Sequence, residues 1–103
     1  MSNNHPIIKI KVQLLRPEEG GRQTLLQIGH YRPHIRFDTS AKLWAVGLNI
    51  SEKPSYDNLT IMEGDFLFEI PPNALMKIGT KVDIIEGTSK VVGHGTITDL
   101  LEQ

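Results

Sequence analysis

The sequence predicts an all-β domain of the barrel or sandwich class. Apolar and polar residues alternate in several short runs, and glycine or proline clusters separate these runs. Alternation with a period of two is typical of strands with one buried face. Many short strands divided by turn residues indicate a closed barrel or a sandwich. The chain has 103 residues, enough for one modest core. We therefore expect a single β domain over residues 7–103, with a flexible N-terminus at residues 1–6.

The individual strands follow from the same pattern. The predicted strands are residues 8–14, a short apolar run at 24–28, 35–37, 42–50, 61–70, 82–84 and 91–100. Gly29 and Pro33 are expected to end the second run, because glycine and proline interrupt regular pairing. Residues 73–77 are expected to form one helical turn capped by Asn73. Gly93 and Gly95 lie inside the last strand, which indicates a bulge or a close approach of two backbones.

Composition narrows the classes of function. The net charge is −1, so the chain lacks the basic excess typical of nucleic-acid binders, and an RNA role would depend on a local patch. The absence of cysteine excludes disulfides, thiolate nucleophiles and cysteine-type zinc sites. The first six residues do not resemble a secretory signal, and no apolar run approaches the length of a membrane span. We expect a cytoplasmic protein with no membrane role.

No motif for catalysis or cofactor binding stands out. The Walker A and Gly-x-Gly-x-x-Gly patterns and the Gly-x-Ser-x-Gly elbow are absent. His30 and His34 are four residues apart, but Pro33 between them argues against a shared helix face. Glu18 and Glu19 are adjacent acids in a loop, which is typical of a solvated turn. We expect no enzyme activity, no metal and no nucleotide or other cofactor.

Basic residues are concentrated in the first third of the chain. If the early strands are neighbours, these cations could form one binding patch. The alternative is that they are solvated residues on exposed strand faces, and composition alone favours it. The residues concerned are Lys9, Lys11, Arg16, Arg22, Arg32 and Arg36.

Several motifs together resemble a known family. They are Glu18-Glu19-Gly20-Gly21-Arg22-Gln23-Thr24, Tyr31-Arg32-Pro33-His34-Ile35-Arg36-Phe37-Asp38-Thr39, Ile61-Met62-Glu63-Gly64-Asp65, Ile85-Glu86-Gly87 and Val92-Gly93-His94-Gly95. Their order and approximate spacing across residues 7–100 resemble the C-terminal (third) β-barrel domain of bacterial elongation factor Tu. The resemblance implies a closed six-stranded antiparallel barrel of the Greek-key type.

The resemblance also implies positions that contact RNA. In that family this domain holds the T-stem backbone of aminoacyl-tRNA, packs on a GTPase domain and contacts the nucleotide-exchange factor. Arg22 matches the motif arginine, while Gln23 and His34 replace a histidine and a glutamine that contact the tRNA. Glu86 and Gly87 match an acidic-glycine pair near a ribose. The full set of implied RNA-binding residues is Arg22, Gln23, Arg32, His34, Glu86, Gly87 and Lys90.

The chain also departs from the family pattern. The 103 residues contain neither the GTPase domain nor the second barrel, so we do not expect elongation activity from them. Residues 42–58 differ from the acidic, proline-containing hairpin of the family. Trp44, Lys53 and Tyr56 in this segment could mark a different binding surface, although a core position is the better expectation for Trp44.

Two functions remain open. The first is a module that recognises the backbone of a tRNA-like RNA by shape. The second is a protein-interaction module, or a homo-oligomer, that uses the barrel surface and has no RNA role. Fold alone does not decide between them, because unrelated functions share one fold.

Overall fold

The structure is a computed structural model that describes residues 7–38 and 40–101. Seven strands and one short 3-10 helix, Pro17–Glu19, make up its regular structure. The strands are β1 Ile7–Leu14, β2 Gly29–Tyr31, β3 His34–Phe37, β4 Leu43–Ile50, β5 Thr60–Phe66, β6 Lys81–Glu86 and β7 Lys90–Leu101. The N-terminus expected to be flexible, residues 1–6, lies outside the described residues.

The strands close into a six-stranded antiparallel barrel with one extra strand. The order around the barrel is β4-β3-β6-β7-β1-β5, and pairing of β4 with β5 closes the ring. β3 pairs with the first half of β4, and β2 pairs with its second half, from Leu48 to Ile50. The extra strand β2 therefore lies beside β4, outside the closed ring. The all-β class and the six-stranded closed barrel expected from the sequence are confirmed.

The core follows from the predicted alternation. In β1 the buried residues are Ile8, Ile10, Val12 and Leu14, and the residues between them are more exposed. Three aromatic rings fill one end of the barrel: Trp44 packs edge-on to both Phe37 and Phe66, at centroid distances of 6.5 and 6.3 Å. Trp44 is buried, so its expected core position is confirmed.

Gly93 and Gly95 permit a close approach of β7 to β1. A Cβ atom on Gly93 would lie 2.8 Å from Val12 Cγ1, and one on Gly95 would lie 2.7 Å from Ile10 Cγ2. The register of β6 against β7 also shifts between Ile84 and Ile85. The extra residue at this shift is Val92, next to Gly93. Of the two alternatives for these glycines, a bulge or a close backbone approach, the close approach is confirmed: Cβ atoms on Gly93 and Gly95 would lie 3.0 and 3.2 Å from the carbonyl oxygens of Gln13 and Lys11.

The second strand was predicted at the wrong place. Residues 24–28 form no strand; the strand is Gly29–Tyr31, where the sequence predicted a break. Gly29 adopts a φ of 129°, which its missing Cβ permits and which turns the chain into pairing with β4. Pro33 interrupts the run only locally, since its carbonyl still accepts a hydrogen bond from the Val46 amide at 3.1 Å.

Two further expectations were wrong at the end of β5. The strand ends at Phe66, not at residue 70, because Leu67 makes the last backbone bond, to the Ala45 carbonyl. Beyond it Phe68 is 84% exposed. The helical turn expected at residues 73–77 is a pair of i→i+3 turns instead, with the Leu75 and Met76 amides bonded to Pro72 and Asn73. Met76 is buried and fixes this loop to the core.

Candidate nucleic-acid interface

Three side chains from distant parts of the chain meet at one end of the barrel. Arg22 Nε lies 3.1 Å from Glu86 Oε2, and the Tyr31 hydroxyl donates a 2.5 Å hydrogen bond to the same oxygen. Arg22 precedes β2, Tyr31 ends β2, and Glu86 ends β6. We call this group, together with the turn at residues 87–89, the hairpin end.

The local sequence explains how Arg22 reaches this position. Pro17 starts the 3-10 helix, and the Arg16 amide donates to Glu19 Oε1 at 2.8 Å. Gly20 ends the helix in the left-handed region at φ 93°. The next residue, Gly21, is buried so closely against the Leu15 carbonyl that any Cβ would overlap it. The two glycines therefore make the tight turn that carries the chain back to the barrel.

Burial and charge fix the protonation of Tyr31. Desolvation raises the pKa of the Tyr31 hydroxyl, the hydrogen bond to Glu86 and the charge of that carboxylate raise it further, and Arg22 opposes the shift. The hydroxyl is therefore neutral at physiological pH and acts as the donor to Glu86. Glu86 holds both partners through one oxygen. The guanidinium of Arg22 has five N–H donors, so the pair leaves others to face solvent or a ligand.

The structure does not bring the remaining predicted residues into direct contact with this group. Lys90 stands opposite Glu86 in the β6–β7 pair, and Gly87 opens the connecting turn with φ 65°. The backbone of His34 pairs with Ile85, but its side chain lines a separate depression with Trp44 and Phe68. Gln23 and Arg32 are exposed and adjoin Arg22 and Tyr31 in sequence. Among the seven predicted residues, only Arg22 and Glu86 form a direct side-chain contact in the described part of the chain.

Sequence reasoning missed the role of Tyr31. Tyr31 belongs to the Tyr-Arg-Pro motif, but the resemblance implies no RNA contact for it. The sequence does contain a signal for this contact. A buried tyrosine hydroxyl ordinarily needs a polar partner, and Tyr31 lies near two segments that carry arginine. The half-buried position of Tyr31 against the core could not be foreseen, because its strand was predicted elsewhere.

The basic residues of the first third do not form one uniform patch. Four of them each pair with a separate carboxylate, so their charge is balanced locally. Arg16 also stacks on the Tyr56 ring, with its guanidinium carbon 5.3 Å from the centroid. The pairs are Lys9–Glu63, Arg16–Asp57, Arg22–Glu86 and Arg36–Asp83. For these four residues, the alternative of solvated residues on exposed strand faces therefore fits better than a single binding patch.

A second charged group lies on the outer wall of β3, β6 and β7. Asp83 accepts from Arg36 at 2.8 Å through one oxygen and contacts His94 Nδ1 at 2.7 Å through the other. Desolvation works against ionisation of Asp83, but the hydrogen bonds from Arg36 and His94 outweigh it and hold the pKa of this carboxyl below its ordinary value. Sequence reasoning missed the group, because cross-strand neighbours depend on register.

The described residues contain no group of three or more His, Asp or Glu side chains placed to hold a metal ion. Over the same ranges, no helix is long and apolar enough to cross a membrane. The fold and this site define a closed β-barrel with a charged, hydrogen-bonded cluster at one end. In a comparison with known protein families, no family model matches the chain.

Proposed function

We propose that this domain is a non-catalytic binding module that holds the sugar–phosphate backbone of a structured, tRNA-like RNA at the hairpin end. The observation that carries the proposal is the meeting of Arg22, Tyr31 and Glu86. These residues belong to separate motifs of the resemblance to the elongation factor Tu barrel domain, and they are up to 64 positions apart in sequence. A role in translation in the cytoplasm would follow from the same resemblance.

The chemistry of the hairpin end suits an RNA backbone. Arginine and lysine bind phosphate, and Glu86 can accept a hydrogen bond from a 2′-hydroxyl, as the resemblance implies for this position. Lys90 stands opposite Glu86, and Arg32 follows Tyr31 in sequence. Neither has an ion-pair partner among residues 7–38 and 40–101. They would provide the net positive charge that the paired Arg22 does not.

The Arg22–Glu86 pair makes a specific contribution to this mode of binding. Glu86 fixes the direction of the guanidinium, so less side-chain entropy is lost when a phosphate binds. The pair also reduces the net charge of the site. We therefore expect modest affinity that depends on the shape of the RNA backbone, with no base readout.

Titration with tRNA at low and moderate salt tests the proposal. We expect saturable binding at low salt, and each lost phosphate contact should lower the slope of log affinity against log salt by about one. Arg22→Ala and Lys90→Ala should each have this effect. Lys77→Ala is the matched control, because Lys77 is exposed and precedes β6, at the end of that strand opposite Glu86.

Two results would contradict the RNA proposal. One is the absence of saturable binding at low salt. The other is binding that Arg22→Ala, Lys90→Ala and Lys77→Ala reduce equally, because a diffuse electrostatic attraction would produce this result without a defined site.

A second candidate function is docking on another protein through an apolar patch after β5. Phe68 is 84% exposed, and Leu67 and Ile70 beside it are 39% and 44% exposed. Exposed apolar groups of this kind often mark interaction surfaces. A variant of this function is self-association of the domain through the same patch.

Substitution of Phe68 tests the second candidate. If it holds, the domain either self-associates in sedimentation equilibrium or retains a stoichiometric partner from lysate after nuclease treatment, and Phe68→Asp abolishes that association. A monomer that retains no protein after nuclease treatment would rule this function out. An association that requires RNA would favour the first proposal.

A further inference from the structure

Glu86 has two cations within reach and forms an ion pair with only one of them. Its Oε2 atom lies 3.1 Å from Arg22 Nε. Lys90 stands directly opposite Glu86 in the β6–β7 pair, where Cβ atoms are about 4.5–5.5 Å apart and opposite charges ordinarily attract. Within the described ranges, however, Lys90 forms no ion pair. Proximity in the sheet therefore does not decide which cation Glu86 contacts.

A hydrogen bond from Tyr31 fixes the position of the Glu86 carboxylate. The Tyr31 hydroxyl donates to Oε2, the same oxygen that Arg22 contacts. The Tyr31 ring packs against the core, so its hydroxyl is held in place. Lys90 is exposed, and an exposed lysine loses side-chain entropy when it forms an ion pair, which makes such pairs weak. The bond from a fixed donor to a carboxylate is therefore stronger than the exposed pair with Lys90.

We propose that Tyr31 is a positioning residue of the hairpin end, whose hydroxyl holds Glu86 on Arg22 and leaves the ammonium group of Lys90 free to bind a phosphate. The restraint on Glu86 is a property of the protein alone, whereas its effect on binding rests on the proposed RNA function. Without the hydroxyl, only Arg22 restrains the carboxylate, which then turns between Arg22 and Lys90. One phosphate-binding cation is partly neutralised in this way, although Tyr31 itself contacts no RNA.

The NMR signal of the Lys90 ε-methylene group, which reports on the adjacent ammonium, tests the restraint without RNA. Tyr31→Phe keeps the ring that packs on the core, so this variant should fold, and circular dichroism checks that it does. We expect Tyr31→Phe to shift the Lys90 signal, because Lys90 then pairs with Glu86. The same substitution should have no effect on that signal in a Glu86→Gln protein. Tyr56→Phe is the matched control, since Tyr56 is a second half-buried tyrosine that packs against the core and lies against Arg16.

A double-mutant cycle with tRNA tests the consequence for binding. At low salt, Tyr31→Phe should weaken binding about threefold and lower the salt slope by a fraction of the change expected of Lys90→Ala. The effect should vanish when Glu86 is replaced by glutamine, and it should be smaller when Lys90 is replaced by alanine. The change in slope distinguishes this role from a general loss of stability, which would leave the number of phosphate contacts unchanged.

The two measurements separate this inference from the proposed RNA function. The positioning role is wrong if Tyr31→Phe leaves the Lys90 signal unchanged, whatever the RNA titration gives. It is also wrong if Tyr31→Phe weakens RNA binding equally in the Glu86→Gln protein, because Tyr31 would then contact the RNA itself. A shifted Lys90 signal in a protein that binds no tRNA would support the restraint on Glu86 and contradict only the RNA function.

Discussion

Closure of the barrel depends on one residue without a side chain, Gly64. Gly64 lies opposite Ile8 of β1 and Leu48 of β4, at the point where β5 joins the two sides of the ring. A Cβ atom built on Gly64 would overlap the Gly47 carbonyl oxygen and lie 2.8 Å from Leu48 Cα. Both are backbone atoms, so no rotamer change can relieve the overlap. Gly64→Ala must therefore push β4 and β5 apart.

The size of the effect follows from two contributions. Overpacking a tight site costs about 1–3 kcal/mol, and each backbone hydrogen bond lost as the strands separate costs about 1 kcal/mol more. We expect Gly64→Ala to lower the free energy of unfolding by about 3 kcal/mol. That is a large share of the roughly 5–15 kcal/mol typical of such a domain. The corresponding fall in Tm is about 12–24 °C, measured by thermal and urea denaturation.

Gly47→Ala is the matched control on the same pair of strands. A Cβ on Gly47 would lie 3.0 Å from Leu67 Cδ2, the end of a flexible and partly exposed side chain. Leu67 can move, so we expect a loss below about 1 kcal/mol. The reasoning is refuted if Gly64→Ala costs no more than Gly47→Ala, because the close backbone approach would then not limit closure of the barrel.

Three other substitutions probe the polar groups. Thr60→Val should raise the free energy of unfolding by about 1 kcal/mol in urea titrations, because the buried Thr60 hydroxyl has no partner among the described residues. A lower free energy of unfolding would contradict this and would indicate that the hydroxyl has a hydrogen-bond partner. Tyr31→Phe should cost about 1 kcal/mol through the lost bond to Glu86, and an unchanged Tm would contradict this. The folded pKa of Asp83 is lowered, so its stabilisation is present above about pH 4 and is lost as pH falls through the folded value. The stability difference between wild type and Asp83→Asn should therefore shrink in acid, and a constant difference from pH 2 to pH 7 would show no linkage.

Much of the barrel could be predicted because its core signal is local. The alternation in β1 and the apolar run in β4 indicated both strands from sequence alone. The errors arose where tertiary contacts, and not the local sequence, determine whether a segment pairs as a strand. The sequence predicted a strand at Leu25 and Leu26, but these residues pack against the core and make no backbone–backbone hydrogen bond within residues 7–38 and 40–101. The pattern of β5 continues in sequence to residue 70, but its last backbone bond to β4 is made by Leu67.

The candidate site was predicted as a set of positions, not as a geometry. Resemblance of motifs supplied Arg22 and Glu86, but the bond that both share with Tyr31 depends on the turn at Gly20 and Gly21. The group formed by Arg36, Asp83 and His94 could not be predicted either, because its contacts depend on the register of three strands.

Residue-resolved NMR titration with unmodified tRNA at low salt tests the central claim most directly. The RNA proposal predicts that the largest amide shifts cluster at Arg22, Gln23, Arg32, Gly87 and Lys90, and that they diminish together as salt is raised. Shifts spread evenly over exposed lysines, or centred on Phe68 with none at the hairpin end, would contradict it.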